Sequence, residues 1–277
     1  MFYADDAYGL VEQRKEFVNA SNKKGLTMFY SIEDLGGGYN PDYYPSESFA
    51  YTRSVNHIAD QMGKDYWYKI DGKPVIMWRA TASQIDDTTS SDIEGVASYY
   101  TYMTTTLSRI KSKCTSLYPS ITSFYVILEC EGYYKGSSWM TSAGFDAISW
   151  YYSFGPEFDT FAEVSTTTST EMERLASAGV AVAPPITCGG DARARWWTFL
   201  NGGIISNYYE ENDVLANLPT LINTVNSFMN THSSCKLGFV DMADENTEQG
   251  TVFYPRKRRN GTINDNIQQK FKEVLNP

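Results

Sequence analysis

Short apolar runs that end in polar or charged residues recur along the chain. "LTMFYSIED" (Leu26 to Asp34) and "PVIMWRAT" (Pro74 to Thr81) are two of them, and "SFYVILECEG", "FDAISWYY", "GVAVAPPIT", "GGIISNYY" and "KLGFVDMAD" repeat the pattern. Each has the length and the apolar, β-branched or aromatic content of a buried strand. Between them the periodicity changes. Ile93, Val96, Tyr100, Met103, Leu107 and Ile110 fall three and four apart, as do Val214, Leu218, Leu221, Val225 and Phe228. Each set lines one face of an amphipathic helix. Leu10, Phe17 and Val18 predict a further helix near the start, closed by Gly25. The "STTTST" run (Ser165 to Thr170) ends in Thr170-x-x-Glu173, the spacing of a capping box, which predicts a helix start there.

Continuous apolar strands alternating with helices imply an α/β fold whose parallel sheet is buried on both faces. Seven such strands, with a strand-like stub at Met1 to Ala4, approach the eight of a (β/α)₈ TIM-type barrel. A doubly wound open sheet is the competing architecture. No Gly-rich phosphate loop follows the first strands, which favours the barrel. No linker or internal repeat divides the chain, so residues 1–277 read as one domain. The abrupt apolar-to-acidic opening, "MFYADD", resembles the end of a strand and suggests a truncated or irregular amino-terminal part.

Composition narrows the function. A net charge of −10 disfavours nucleic acid and anionic membrane surfaces as partners. Arg256 to Arg259, "RKRR", therefore reads as a solvated loop. No run of about 18 apolar residues is present, so no transmembrane helix is expected, and no signal segment is visible. Cys114, Cys130, Cys188 and Cys235 show no CxxC spacing and read as buried free thiols. With His57 and His232 as the only histidines, neither a zinc site nor any other metal or cofactor is expected. The 21 Tyr, 6 Trp and 14 Phe cluster in stretches such as "DYWYK", "SWYYS" and "RWW". Such residues fill cores by default, but at strand ends they also make flat walls for sugar rings.

In a barrel the reacting groups sit where strands end and βα loops begin. Those ends supply Glu33 and Asp34, Trp78 and Arg79, Glu129 and Glu131, Trp150 and Tyr151. Later ends supply Thr187, Asp191 and Arg193, then Tyr208, Tyr209 and Glu210, and finally Asp241, Asp244, Glu245 and Glu248. Glu129 and Glu131 alternate along one strand, and Glu129 is favoured as the pocket residue because Glu131-Gly132 already reads as loop. Carboxylates, aromatics and a few guanidinium groups, almost without histidine, suit glycoside hydrolysis, which needs two carboxyl groups flanking the bond. They do not suit a Ser-His-Asp hydrolase. Asp191 and Asp213 read as helix caps.

The closing stretch "DENTEQGTVFYP" (Asp244 to Pro255) resembles the "NEWxEGTxIEP" signature of glycoside hydrolase family 99 and its family 71 and WbsX-like relatives. "YWYKIDGKPVIMWRA" (Tyr66 to Ala80) resembles the "DGKP" stretch with which that group enters a central strand. The chain departs from the signature at Asn246, where the family has Trp, at the extra Gln249, and at Tyr254, where a third Glu is usual. The resemblance implies a (β/α)₈ barrel and a glycoside hydrolase acting on an α-linked mannan- or glucan-type polysaccharide or glycan. It also implies a catalytic pair, Glu245 as base toward the sugar's 2-hydroxyl and Glu248 as acid toward the leaving oxygen. Glu33, Asp34, Trp78, Arg79, Glu129, Trp150, Tyr151, Tyr208, Asp241 and Asp244 are the expected substrate contacts. The expected partner is a carbohydrate, the expected state a monomer, and the expected location extracellular, periplasmic or at the cell surface. The competing reading is a non-catalytic carbohydrate-binding or polysaccharide-assembly protein on the same barrel.

Overall fold

Strands that follow one another in sequence also lie side by side. β1 (Phe2–Tyr3), β2 (Tyr30–Ile32), β4 (Lys73–Ala80) and β5 (Tyr125–Glu131) pair in that order, each parallel to the next, and β6 (Ala147–Tyr151) follows beside β5. This is a computed structural model that describes residues 2–3, 18–19, 25–32, 49–80, 93–131, 144–151, 160–187, 211–241, 256–257, 263–264 and 266–275. The chain falls into two compact units, Met1–Ile148 and Ser149–Pro277, with the boundary inside β6.

In the first unit, α1 (Phe49–Met62) connects β2 to β4 and α2 (Ile93–Leu117) connects β4 to β5. Parallel strands added in one direction through right-handed crossovers place both helices on the same face of the sheet. Ring contacts agree. Tyr30 of β2 stacks on His57 of α1 and bonds it, Oη to Nε2 at 3.1 Å, while Trp78 of β4 meets Tyr102 of α2 edge-on. Val55, Ile58, Ala59 and Met62 of α1 and Met103, Leu107 and Ile110 of α2 are buried at helical spacing. β3 (Lys69–Ile70) turns antiparallel into β4 through Asp71 and Gly72, both at positive φ, as a two-residue hairpin turn of this type demands. Trp67 is core, its indole N–H donating to the carbonyl of Val75 at 2.9 Å.

The amino-terminal end of the sheet is clamped by polar contacts. Tyr118, just past α2, places its hydroxyl 2.9 Å from the Asp60 carbonyl and 3.0 Å from Asp60 Oδ1, and Lys64 donates to the same carboxylate at 3.1 Å. Burial alone would push the Asp60 carboxyl up, but hydrogen bonds from Lys64 and Tyr118 and the charge of Lys64 hold it below its ordinary range. Asp146 accepts from the Val126 N–H at 2.8 Å and returns its own N–H to the Val126 carbonyl at 2.7 Å, tying the approach to β6 onto the start of β5.

In the second unit, β7 (Pro185–Thr187) pairs parallel with β8 (Phe239–Asp241), joined through α4 (Glu211–Thr231). α3 (Phe161–Ser177) packs on α4, and α4 on α5 (Asn266–Leu275). Val214, Leu218, Leu221, Val225 and Phe228 are all buried, as their spacing requires. The helix start expected at Thr170 lies ten residues too late. α3 begins after Thr160, whose N–H donates to Glu163 at 3.2 Å. Within the helix the threonine hydroxyls find acceptors one turn back, Thr168 to Val164 O at 2.7 Å and Thr170 to Thr166 O at 2.9 Å. Asp213 is a cap, but not of its own helix, since its carboxylate accepts from the Phe161 N–H at 2.6 Å. Within the basic run, Arg256 and Lys257 form β9 and pair antiparallel with β10 (Ile263–Asn264), so that part is strand and not loop. Cys114 and Cys235 are free and buried, each thiol pushed up to about 11 by burial. The helix expected near the start is described only at residues 18–19.

A Cβ at Gly63 would stand 2.1 Å from the Tyr118 ring, which its bonds to Asp60 hold in place. Gly63→Ala should therefore destabilise by about 1–3 kcal/mol, read as a lower midpoint in urea, and Tyr118→Leu in the same background should recover part of the loss. Asp60→Asn tests the clamp by pH. The lowered carboxyl contributes stability above its ordinary value of about 3.9, lost as pH falls through the depressed one. The variant should thus melt below the wild type at pH 7, with the gap closing as pH falls through the depressed value.

Candidate active site

Parallel register decides what the strand ends present. Arg79 is the Cα partner of Glu129, Trp78 of Leu128 and Met77 of Ile127, while Ser31 pairs with Met77 and Ile32 with Trp78. Paired residues of parallel strands point to the same face, and successive residues to opposite faces. Tyr30, Ile32, Trp78 and Leu128 consequently face the helices. Ser31, Met77, Arg79, Ile127 and Glu129 face the other way, with Arg79 and Glu129 at the carboxyl end.

Glu129 is 5% exposed and Arg79 half-buried. A carboxylate this buried must be compensated, because an isolated buried charge costs several kcal/mol. Arg79 is its register partner one strand over, about 4.8 Å away at the backbone. Ser31 lies on the same face, fully buried, and its hydroxyl makes no hydrogen bond. No motif marked Ser31, and only the pairing of β2 with β4 places it on this face.

Trp78, expected as a substrate contact, is fully buried against Tyr102 on the helix side, on the face opposite Arg79 and Glu129. Adjacent residues of a strand cannot share a face, so Trp78 and Arg79 are separated by geometry alone. Trp150 is buried in β6, and Tyr151 is the last residue of that strand.

The second unit repeats the arrangement at β7 and β8. Thr187, 2% exposed, is the register partner of Asp241, each the last residue of its strand. Beneath them Gly238 keeps the start of β8 close to the Pro184 carbonyl and to the Met229 sulfur, which a Cβ would meet at 3.2 Å. Glu33, Asp34, Tyr208, Asp244, Glu245 and Glu248 lie outside the described residues. Among the described residues no group of three or more His, Cys, Asp or Glu side chains is placed to hold a metal ion, and no helix is long and apolar enough to cross a membrane.

The fold is of the α/β class with a parallel sheet, and it is similar to that of a glycoside hydrolase. The GH99 endo-alpha-mannosidase from Bacteroides thetaiotaomicron aligns with a TM-score of 0.54 at 12% identity, covering 99% of this chain and 72% of that one. The same enzyme in complex with BIS-TRIS-propane aligns at 0.51 and 12% identity over 94% of this chain and 76% of that one. Xylanase 10B from Thermotoga petrophila RKU-1 aligns at 0.45 and 10% identity over 98% and 80%. No family model matches the sequence, and no curated protein matches it. The family that the two short motifs resemble is thus also met in the fold.

The burial of Trp78 gives a direct test. Trp78→Ala should cost about 3–5 kcal/mol in urea unfolding, and Trp78→Phe clearly less, because a phenyl ring still fills the space against Tyr102. Equal losses in the two variants would contradict this packing role.

Proposed function

We propose that the chain is a glycoside hydrolase of an α-linked, mannan- or glucan-type polysaccharide or glycan, built as one (β/α)₈ domain over residues 1–277. The observation that supports it best is a convergence. The family whose closing signature Asp244 to Pro255 resembles is the one whose structures share this fold. Strand order without reversal from β1 through β5 adds to the case for a barrel, because a doubly wound sheet reverses direction at its switch point.

On this reading Glu245 is the base toward the 2-hydroxyl and Glu248 the acid toward the leaving oxygen. Two carboxyl groups three residues apart share a face where the chain takes a helical turn. Their repulsion then raises the proton affinity of one, leaving an acid beside a base. Glu33, Asp34, Arg79, Glu129, Trp150, Tyr151, Tyr208, Asp241 and Asp244 serve as substrate contacts, while the burial of Trp78 assigns it to packing. The enzyme works outside the cytoplasm. The departures at Asn246, Gln249 and Tyr254 favour a second reading, a carbohydrate-binding protein that does not cleave.

Hydrolysis of a panel of α-mannans and α-glucans with product analysis separates the two. Glu245→Gln and Glu248→Gln should each cut turnover by roughly 10²-fold or more while glycan binding, measured by calorimetry, survives. Near-normal turnover by Glu248→Gln on a substrate with a poor leaving group would overturn the assignment. Binding without cleavage by the wild type would establish the second reading.

A further inference from the structure

The pair at the end of β4 and β5 supports a more specific statement. Burial by itself favours the neutral form of a carboxyl group. Glu131 is the last residue of β5. By burial alone Glu129 would be a proton donor. Arg79 opposes it. It is charged at any working pH, lies in register one strand over, and belongs to the same face. A nearby opposite charge favours the ionised form of a carboxyl group, and a guanidinium also forms directed, charge-assisted hydrogen bonds with it. β2 brings no charged residue to this face within its described length, and β6 carries only Tyr151 as a titratable group.

We propose that Arg79 is a positioning residue whose guanidinium keeps the buried Glu129 carboxylate ionised and fixed, so that Glu129 meets a sugar hydroxyl as an anionic acceptor and not as a proton donor. The sugar in this statement rests on the glycosidase reading. The charge pair does not, and the test uses both.

In Arg79→Met the carboxylate is left buried without its cation, so its folded form holds its proton more tightly than the unfolded chain does. Stability is then lost as pH rises through the raised value. The variant should melt within about 2 °C of wild type at pH 4.5 and roughly 6 °C below it at pH 8. Arg79→Lys should recover most of that gap, and Arg79→Met combined with Glu129→Gln should show no widening with pH. A gap equal at both pH values, or one that Glu129→Gln leaves widening, overturns the pairing. If Arg79→Met does not fold, Arg79→Lys and Glu129→Gln, melted singly and together, replace it. Coupling between them supports the pair, and simple additivity overturns it.

For the second arm, Glu129→Gln is assayed on an α-mannan oligosaccharide. KM should rise about tenfold with kcat reduced less than about threefold and the acid limb of the pH profile unchanged, since the residue contributes binding and not proton transfer. A kcat loss near 10²-fold with a shifted limb would make Glu129 a proton donor and overturn the proposal. If the wild type cleaves no glycan, the glycosidase reading falls while the melting series still decides the charge pair.

Discussion

The in-register parallel pairing of β4 with β5 is the constraint on which the first unit depends. Six consecutive pairs, from Val75 with Tyr125 to Ala80 with Cys130, assign every side chain of both strands to one face or the other. A slip of one residue would carry Arg79 into the helix layer and Trp78 out of it. Both faces of these strands are apolar over most of their length, since Val75, Ile76, Met77, Val126, Ile127 and Leu128 are all buried. Hydrophobic alternation therefore cannot hold the register. The strand entrances do so. The two-residue turn at Asp71 and Gly72 sets β3 against β4, Trp67 bonds the Val75 carbonyl, and Asp146 bonds both backbone groups of Val126.

From this register the two ends of the sheet acquire different chemistry. At the amino-terminal end Asp60, Lys64 and Tyr118 neutralise and satisfy one another, and Gly63 makes room for the tyrosine ring. At the carboxyl end Arg79 and Glu129 stand side by side with one face in common. Such a division suits a parallel α/β fold, in which stability residues collect at one end of the strands and reacting groups at the other. Within the second unit the same logic holds on its own terms, with Thr187 and Asp241 closing a parallel pair and Asp213 capping the neighbouring helix. A helix cap donated by another helix joins α3 and α4 by a bond as well as by apolar packing.

Likeness in fold at 12% identity means that a chain path is shared where most side chains differ. Cores tolerate such exchange as long as volume and patterning persist. Chemistry has no such tolerance, because it depends on particular groups at particular atoms. That is why the functional reading leans on Glu245 and Glu248 in one short stretch, and why the departures around them at Asn246, Gln249 and Tyr254 bear on it as strongly as the matches.

Much was legible from the chain alone. Helical spacing marked the buried faces of α2 and α4, and the apolar runs marked β2, β4, β5, β6, β7 and β8. These are local signals, set by backbone preference and by a period of 2 or 3.6 residues. Other features were not local. Thr170 and Glu173 had the right types at the right spacing for a helix start, yet the Thr160–Glu163 cap and the carboxylate of Asp213, from another helix, set the start at Thr160. Trp78 read as a strand-end aromatic, and only its packing on Tyr102 places it in the core. Ser31 carried no signal at all. Composition and period determine which residues are strand and which are buried. Which strands become neighbours, and in which register, is set by contacts between residues far apart in the chain. That register alone brings Arg79 to Glu129, fifty positions away.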